Sequence, residues 1–416
     1  MPVNLPAPNP AHILPVPGVR LGFAKAQIKN WQRNDVMLMQ LAKGSRVAGV
    51  FTQNAFAAAP VQVCRKHLAQ GAAIEALIIN AGNANCGTGE PGLQAAKDTC
   101  AAVAAALGCV DAAVLPFSTG VILEHLPVQK IVNALPQAVQ SLGENAWVEA
   151  AQAIMTTDTV HKAVSAQAQI GGKTITVTGI AKGVGMLQPN MATMLAYVAC
   201  DAAVSQAALQ QLVKEVADAS FNRVTVDGDT STNDSFVLIA TGQAHNAEIT
   251  ENIANSADTA DTADYAALKA ALLQVAAPLA QAIARDGEGA TKFITVQIEG
   301  AATSDEAHRC GKFIAHSPLV KTAFFASDPN LGRIIMAIGN AIPELDTSKV
   351  NVYLGGVCVV QNGGRAASYT ETQGAAVMQQ PEITVRVELG RGAAATTVWT
   401  CDYSYDYVKI NAEYRT

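Results

Sequence analysis

Strands and helices alternate along this sequence, which points to the α/β class without singling out one architecture. Apolar runs of strand length recur at 47–54, 76–80 and 174–178, the last with strict alternation. Helical patterns stand between them: Leu93, Ala96, Cys100, Val103 and Leu107 recur at the 3.6 period, as do Leu209, Leu212, Val213 and Val216. At 416 residues, 50% hydrophobic and only 15% charged, the chain exceeds a single core, so two domains or two intimately packed halves are expected.

In chain order, 47–54 reads as a strand running into a polar turn, and 76–80 as a buried strand ending in an Asn- and Gly-rich loop. Gly92 opens a helix, and Gly108 stands where a left-handed C-terminal cap belongs. Gly87, Gly89 and Gly92 match the nominal dinucleotide fingerprint. They lie a whole loop beyond the strand, and Asp111 precedes the next strand, 112–115, so no nicotinamide or flavin site is expected. Phe117-Ser118-Thr119-Gly120-Val121 follows that strand and reads alone as an ordinary polar turn, although its small hydroxyls and glycine also suit donating hydrogen bonds to an oxyanion. After the central segment, Ser205 caps a helix over 203–219. The stretch 226–235 is dense in carboxylates and hydroxyls but lacks calcium-loop spacing, and reads as a structured loop near the active site. The repetitive 246–264 reads as an exposed loop before a helix over 265–285. Ser317-Pro318 opens another helix, Asp328-Pro329-Asn330 leads to a further one, and from Val350 the chain is mostly β.

Composition excludes several classes of function. A net charge of −6, from 28 basic and 34 acidic residues scattered along the chain, gives no footprint for nucleic acid or an anionic membrane. Eight cysteines without CxxC or metal-ligand spacing read as reduced core thiols. Pro2, Pro6, Pro8 and Pro10 interrupt the N-terminus, so no secretory signal is expected there. The most apolar helical stretch, 266–284, is broken by Lys269, Gln274, Pro278 and Gln281 and is not expected to span a membrane. A soluble, cytoplasmic protein is the expectation.

The chemistry concentrates in Lys182-Gly183-Val184-Gly185-Met186-Leu187-Gln188-Pro189-Asn190-Met191-Ala192-Thr193-Met194-Leu195. Gly183 and Gly185 allow positive φ or a close approach, and Pro189-Asn190 forms a turn. An apolar, strand-like run follows, with one hydroxyl, Thr193, near its start. A β-hydroxyl beside a strained turn can attack the preceding carbonyl, here that of the small Ala192. Hydrolysis of the resulting ester would leave Thr193 as a new N-terminus, whose α-amine, with a pKa of ~7.7–8.0, can serve its own hydroxyl as general base. Read alone, Thr193 is more simply a β-branched residue opening a strand.

Lys182-Gly183-Val184-Gly185-Met186 followed by Pro189-Asn190-Met191-Ala192-Thr193-Met194-Leu195 resembles the self-cleaving nucleophile motif of the ornithine acetyltransferase family, the bifunctional arginine biosynthesis proteins or glutamate N-acetyltransferases. The resemblance extends from Phe51-Thr52-Gln53-Asn54 and Ala59-Pro60-Val61 through Asp328-Pro329-Asn330 to the final 407–416. It implies a layered α/β sandwich of β-sheets flanked by helices, of the N-terminal-nucleophile-like type, with a smaller C-terminal α/β region. It further implies cleavage between Ala192 and Thr193 into an α subunit, 1–192, and a β subunit, 193–416, assembled as a heterotetramer of two of each. Thr193 would be the nucleophile and Thr119 with Gly120 the oxyanion hole. Thr156, Lys182, Glu288, Asn411 and Thr416 would contact substrate. Leu123 and Glu124 depart from the smaller residues family members often carry there.

The implied reaction moves an acetyl group from N2-acetyl-L-ornithine to L-glutamate through an acetyl-Thr193 enzyme, with no metal or cofactor. Acetyl-CoA is a possible co-substrate. Lys182 would pair with or steer the α-carboxylate, and Glu288 would face the cationic end of ornithine or shuttle a proton. Tyr407, Ile410 and Tyr414 would pin the C-terminus. An N-terminal-nucleophile aminopeptidase or amidohydrolase of related fold is the alternative; those usually present Ser at the cut and lack the ending 409–416.

Overall fold

The computed structural model describes residues 2–188, 194–251 and 259–413. In the strand Leu195–Cys200 alternate side chains belong to two different cores, yet all six residues are buried. A strand buried on both faces needs a packed layer on each side. It lies third in a five-stranded sheet ordered Arg46–Phe51, Ser235–Ala240, Leu195–Cys200, Lys173–Lys182, Lys162–Ile170. It runs parallel to Ser235–Ala240 and antiparallel to Lys173–Lys182.

Leu195, Tyr197 and Ala199, with Ile180 and Ile239, pack against Met37, Ile79, Leu115 and Phe117 of a four-stranded sheet. That second sheet is ordered Val19–Ala24, Val36–Leu41, Ala76–Asn83, Val114–Val121. Phe117 and Tyr197 meet edge to face, centroids 5.2 Å apart, across the two sheets. Ala196, Val198 and Phe236 pack the opposite way, on Leu209 and Leu212 of helix Gln206–Ala219 and Leu268, Leu272 and Val275 of helix Thr259–Arg285. Leu38, Ile78 and Val114 on the outer face of the four-stranded sheet are covered by helices Gly89–Leu107 and Val128–Gln140. The result is a helix–sheet–sheet–helix sandwich, the layered α/β type that the family resemblance implied. Helix Thr259–Arg285 includes a stretch long and apolar enough to cross a membrane, but Leu268, Leu272, Val275 and Leu279 pack on the sheet, so it serves as a core helix.

The smaller C-terminal α/β region follows. Strands Phe293–Ala301, Asn351–Leu354, Val357–Gln361, Gly364–Arg365, Glu382–Glu388 and Ala394–Cys401 form its six-stranded sheet, against which helices Ser304–His316 and Leu331–Ala341 pack. Helix signals behaved as expected: Ser205 Oγ accepts from Ala208 N, Ser317 Oγ accepts from Val320 N with Pro318 first in its helix, and Gly108 is left-handed.

Several boundaries differ. Asp111–Ala113 is a 3₁₀ turn, and the strand runs through Val114–Val121, so Thr119 and Gly120 lie within it rather than beyond it. Parallel pairing with Ala76–Asn83 extends the strand past the point where its apolar run stops. The helix expected from Gly92 starts one turn earlier, at Gly89. The helix expected from Tyr265 starts at Thr259, so part of the repetitive segment read as loop is helical; 252–258 lie outside the described residues. Strands from both sides of position 192 are interleaved in the five-stranded sheet.

Candidate active site

Lys182 closes its strand opposite Leu195, and the chain then turns away at Gly183, where φ is +149°. The ammonium is buried and donates to two hydroxyls, Thr156 Oγ1 at 2.8 Å and Thr119 Oγ1 at 3.1 Å. Burial pushes it below the ordinary lysine value, against the pull of Asp158, Asp234 and Glu288. Because Thr119 Oγ1 accepts from Lys182, its own proton remains available to a developing oxyanion. Gly120 pairs with Gly82 at φ +135°; a Cβ there would lie 2.3 Å from the Gly82 carbonyl carbon, so only glycine lets the two parallel strands close at this point.

Glu288 reaches the same space from beyond helix Thr259–Arg285. Its backbone N–H donates to Val184 O at 2.9 Å. Thr157 Oγ1 donates to Oε1 and Asn411 Nδ2 to Oε2, each at 2.9 Å. Burial raises the carboxyl above the usual glutamate range, more than these two hydrogen bonds lower it. Gly185 makes the approach possible, since a Cβ would stand 2.4 Å from Glu288 Oε2. Asn411 belongs to helix Tyr405–Ala412, which returns from the C-terminal sheet. Asp402 accepts from Thr291 N and Lys292 N, both at 2.8 Å, and Ser404 Oγ donates to Gly289 O at 2.6 Å, which docks that helix beside Glu288. Tyr407 stacks on Tyr403 at 4.6 Å, as suited its expected anchoring role; Ile410 is only half-buried.

Beneath the cleft lies a charged layer. Asp158 Oδ1 accepts from Gly183 N at 2.9 Å and from Lys162 Nζ at 2.8 Å, and Oδ2 from Thr156 N at 3.1 Å. Lys162 Nζ also reaches Asp286 Oδ2 at 2.7 Å, and all three side chains are sealed from solvent. Burial alone would raise Asp158, but Lys162 and Lys182 hold it well below the usual carboxylate range. Burial likewise opposes the charge on Lys162, yet its two carboxylates lift it above the ordinary lysine value. On the other flank, Asp227 accepts from Met186 N at 2.6 Å and Leu187 N at 2.7 Å, and Thr230 Oγ1 donates to Gln188 O at 3.1 Å, strapping the segment that leads to 189.

Thr119, Gly120, Thr156, Lys182, Glu288 and Asn411 thus line one cavity of about 130 Å³, together with Met194 and Leu195. Ala192, Thr193, Tyr414 and Thr416 lie outside the described residues. Ile122, not Leu123, joins the lining. Leu123 has φ +67° and points to solvent, and Glu124 pairs with Lys29 at 2.5 Å, so the unusual pair does not shape the cavity. Sequence reasoning missed Thr157, Asp158, Lys162 and Asp286, whereas the 226–235 loop does lie at the site, with Ser231 to Asp234 in the lining and Asp227 strapping 186–187. The run Thr156-Thr157-Asp158-Thr159 was a signal, being a polar cluster between a helix and a strand.

Two facing sheets with a polar, charge-lined cleft at the end of their central strands define the class: an α/β sandwich with a site built for a small charged molecule. The chain belongs to the ArgJ family, whose model matches residues 20–416. Family membership makes it an acetyltransferase of arginine biosynthesis. It is similar to the arginine biosynthesis bifunctional protein ArgJ of Bacillus halodurans, with 37% identity over 51% of this chain and 96% of that one and a TM-score of 0.46. It is also similar to the ornithine acetyltransferase of Mycobacterium tuberculosis solved with ornithine, with 35% identity over 42% and 93% and a TM-score of 0.37. A more distant likeness is to an aminopeptidase of Ochrobactrum anthropi, with 12% identity over 64% and 84% and a TM-score of 0.35.

Proposed function

We propose that this protein transfers an acetyl group from N2-acetyl-L-ornithine to L-glutamate through an acetyl ester on Thr193. The carrying observation is that Thr119, Gly120, Thr156, Lys182, Glu288 and Asn411 converge on one cavity whose wall includes Met194, the residue after Thr193. The enzyme first cuts itself. Thr193 Oγ attacks the Ala192 carbonyl, and the peptide C–N bond breaks to leave an ester and the free Thr193 amine; water then cleaves the ester C–O bond, releasing the Ala192 carboxylate and restoring the Thr193 hydroxyl. The two pieces, 1–192 and 193–416, stay together because both contribute strands to one sheet, with Ser235–Ala240 and Leu195–Cys200 held between Arg46–Phe51 and Lys173–Lys182; the assembly is a heterotetramer of two of each, and it works in the cytoplasm.

In turnover, the α-amine takes the Thr193 hydroxyl proton as Oγ attacks the acetyl carbonyl. The Thr119 hydroxyl and Gly120 N–H receive the oxyanion. The amide C–N bond breaks, and the proton passes to the departing ornithine amine. Glutamate's amine then attacks the ester, the C–O bond breaks, and Thr193 recovers its proton. Both substrates carry an α-carboxylate, which Lys182 pairs with; Glu288 faces the cationic side chain of ornithine. Thr416 adds a contact from the C-terminus. Acetyl-CoA serves as a second acetyl donor.

Intact-mass measurement and an acetyl-transfer assay test the reading together. The wild type should yield two fragments divided at 192/193 and transfer acetyl between the two amino acids. Thr193→Ala should remain one chain and be inactive. An uncut wild-type chain with full activity, or an active Thr193→Ala, overturns the proposal. Acetyl-CoA with glutamate as the only substrates decides the second donor.

A further inference from the structure

Two buried lysines stand on neighbouring strands with opposite surroundings. Lys162 contacts two carboxylates, whereas Lys182 contacts two hydroxyls and meets carboxylates only through space. Asp158 touches both halves of this arrangement. One of its oxygens holds Lys162 and the backbone N–H of Gly183, next in chain to Lys182; the other holds the backbone N–H of Thr156, whose hydroxyl receives the Lys182 ammonium. Lys162 carries the chain of contacts on to Asp286, two residues before Glu288.

We propose that Asp158 is a positioning residue that sets both the place and the charge of Lys182, and so governs how strongly the cleft binds a substrate carboxylate. This rests on the reading of Lys182 as the carboxylate partner. Asp158 does not touch substrate: Lys162 and the two backbone N–H groups occupy its oxygens. It acts by holding Gly183 and Thr156 in register on either side of the ammonium. Its negative charge also offsets the cost of burying that ammonium. The charged groups facing Lys182 are Asp158 and Lys162 from the loop and strand below, Asp234 from the loop beyond 226–233, and Glu288 from the opposite wall. Lys162 acts against protonation of Lys182, and the three carboxylates act for it.

The test is the pH dependence of KM for N2-acetyl-L-ornithine in the mature enzyme. Asp158→Asn keeps the shape and an acceptor for Gly183 but removes the charge and sets an NH2 group against the Thr156 N–H. Lys182 then loses its proton at lower pH, so the alkaline rise in KM begins earlier, with KM up roughly tenfold on that limb and kcat changed less. Asp158→Glu restores the charge and should return the limb toward the wild-type position. Asp286→Asn, which is not among the charges acting on Lys182, should leave the limb where it is even if the protein is less stable. A limb that moves equally in Asp158→Asn and Asp286→Asn, or in neither, overturns the proposal. Lys182→Arg separates the underlying reading: a limb unmoved by that change sinks Lys182 as carboxylate partner, whereas a limb that moves with Lys182→Arg but not with Asp158→Asn sinks only the role of Asp158. Should Asp158→Asn fail to fold, Lys162→Gln carries the test with opposite sign, since removing that positive charge should move the limb to higher pH; no movement, or movement downward, refutes the proposal.

Discussion

The C-terminal sheet and the cleft hold the chain together by different means. In the former, Ile294, Val296, Ile298, Val352, Leu354, Val385 and Val387 form one apolar core, and strands Asn351–Leu354 and Glu382–Glu388 alternate buried with more exposed residues. The ion pairs of Arg386 with Glu299 and Glu388 lie on a partly exposed face, and the buried Lys321 donates to Thr400 Oγ1 at the border of that core rather than within it. Around the cleft, by contrast, Asp158, Lys162, Lys182, Asp286 and Glu288 are all buried within the sandwich. Burying ions costs free energy that neighbouring charges only partly offset. A protein that needed only to fold would have placed aliphatic residues there, so the polar seam reports what the site must do.

The largest break in this contrast should come from Lys162→Met. It keeps the volume but leaves Asp158 and Asp286 buried without their cation, which should destabilise the protein by about 3–5 kcal/mol at neutral pH. The pH dependence has a definite sign. Asp158 is held below its unfolded value, so its pairing contributes stability above the unfolded carboxylate range and loses it as pH falls through the folded value. The gap between wild type and variant in urea unfolding should therefore narrow in acid. A gap independent of pH would show that lost packing, not charge, is responsible.

Gly120→Ala sharpens the comparison on catalysis. The added Cβ meets the Gly82 backbone, which must shift the strand that carries Thr119. With an oxyanion donor displaced, kcat should fall roughly 10²–10³-fold. Unfolding of the C-terminal sheet, followed by hydrogen exchange of its strands, should barely change. Retained kcat would remove Gly120 from the oxyanion site.

Much of this contrast was legible in the sequence, but unevenly. Some sandwich strands announced themselves as apolar runs, as at 76–80 and in Leu195–Cys200, whereas Val36–Leu41, Lys162–Ile170 and Ser235–Ala240 went unread, the second of these carrying Lys, Ser and Gln among its apolar residues. The cavity residues to which we assign contact with a reacting group, Thr119, Lys182 and Glu288, stood in a long and specific resemblance. What stayed hidden were partners joined only by folding: Asp158 with Asp286 across 128 positions, or Thr157 with Glu288 across 131. No periodicity encodes such pairings. The early ending assigned to the Thr119 strand has the same cause, since its last residues are held by pairing with Ala76–Asn83 and not by apolar character.

Thr157→Val probes one of those hidden pairs. The Glu288 carboxylate loses a donor to Oε1 while Asn411 still serves Oε2. A hydrogen bond to a charged group contributes about 1.5–3 kcal/mol, so kcat/KM for acetylornithine should drop by a comparable factor. Losing a donor to the charged form raises a carboxyl that burial already holds high, so the acid limb of kcat/KM should move to higher pH. An unshifted acid limb would mean that Glu288 does not titrate in the step that limits kcat/KM.

The smallest effect belongs to the apolar region and tests the comparison from its other side. Ile298 is fully buried in the strand that joins the C-terminal sheet to the sandwich, and Ile298→Val removes one methyl group from its core. The loss should be about 0.5–1.5 kcal/mol in stability, because the neighbours can only partly close the space. Acetyl transfer per folded molecule should be unchanged, since no charge or hydrogen bond at the cleft moves. The same strand begins at Phe293, directly after Lys292, whose backbone N–H Asp402 holds beside Glu288. If Ile298→Val lowered kcat/KM as much as Thr157→Val does, packing in the sheet would be setting the position of Glu288, and the division between a supporting sheet and a working cleft would have to be abandoned.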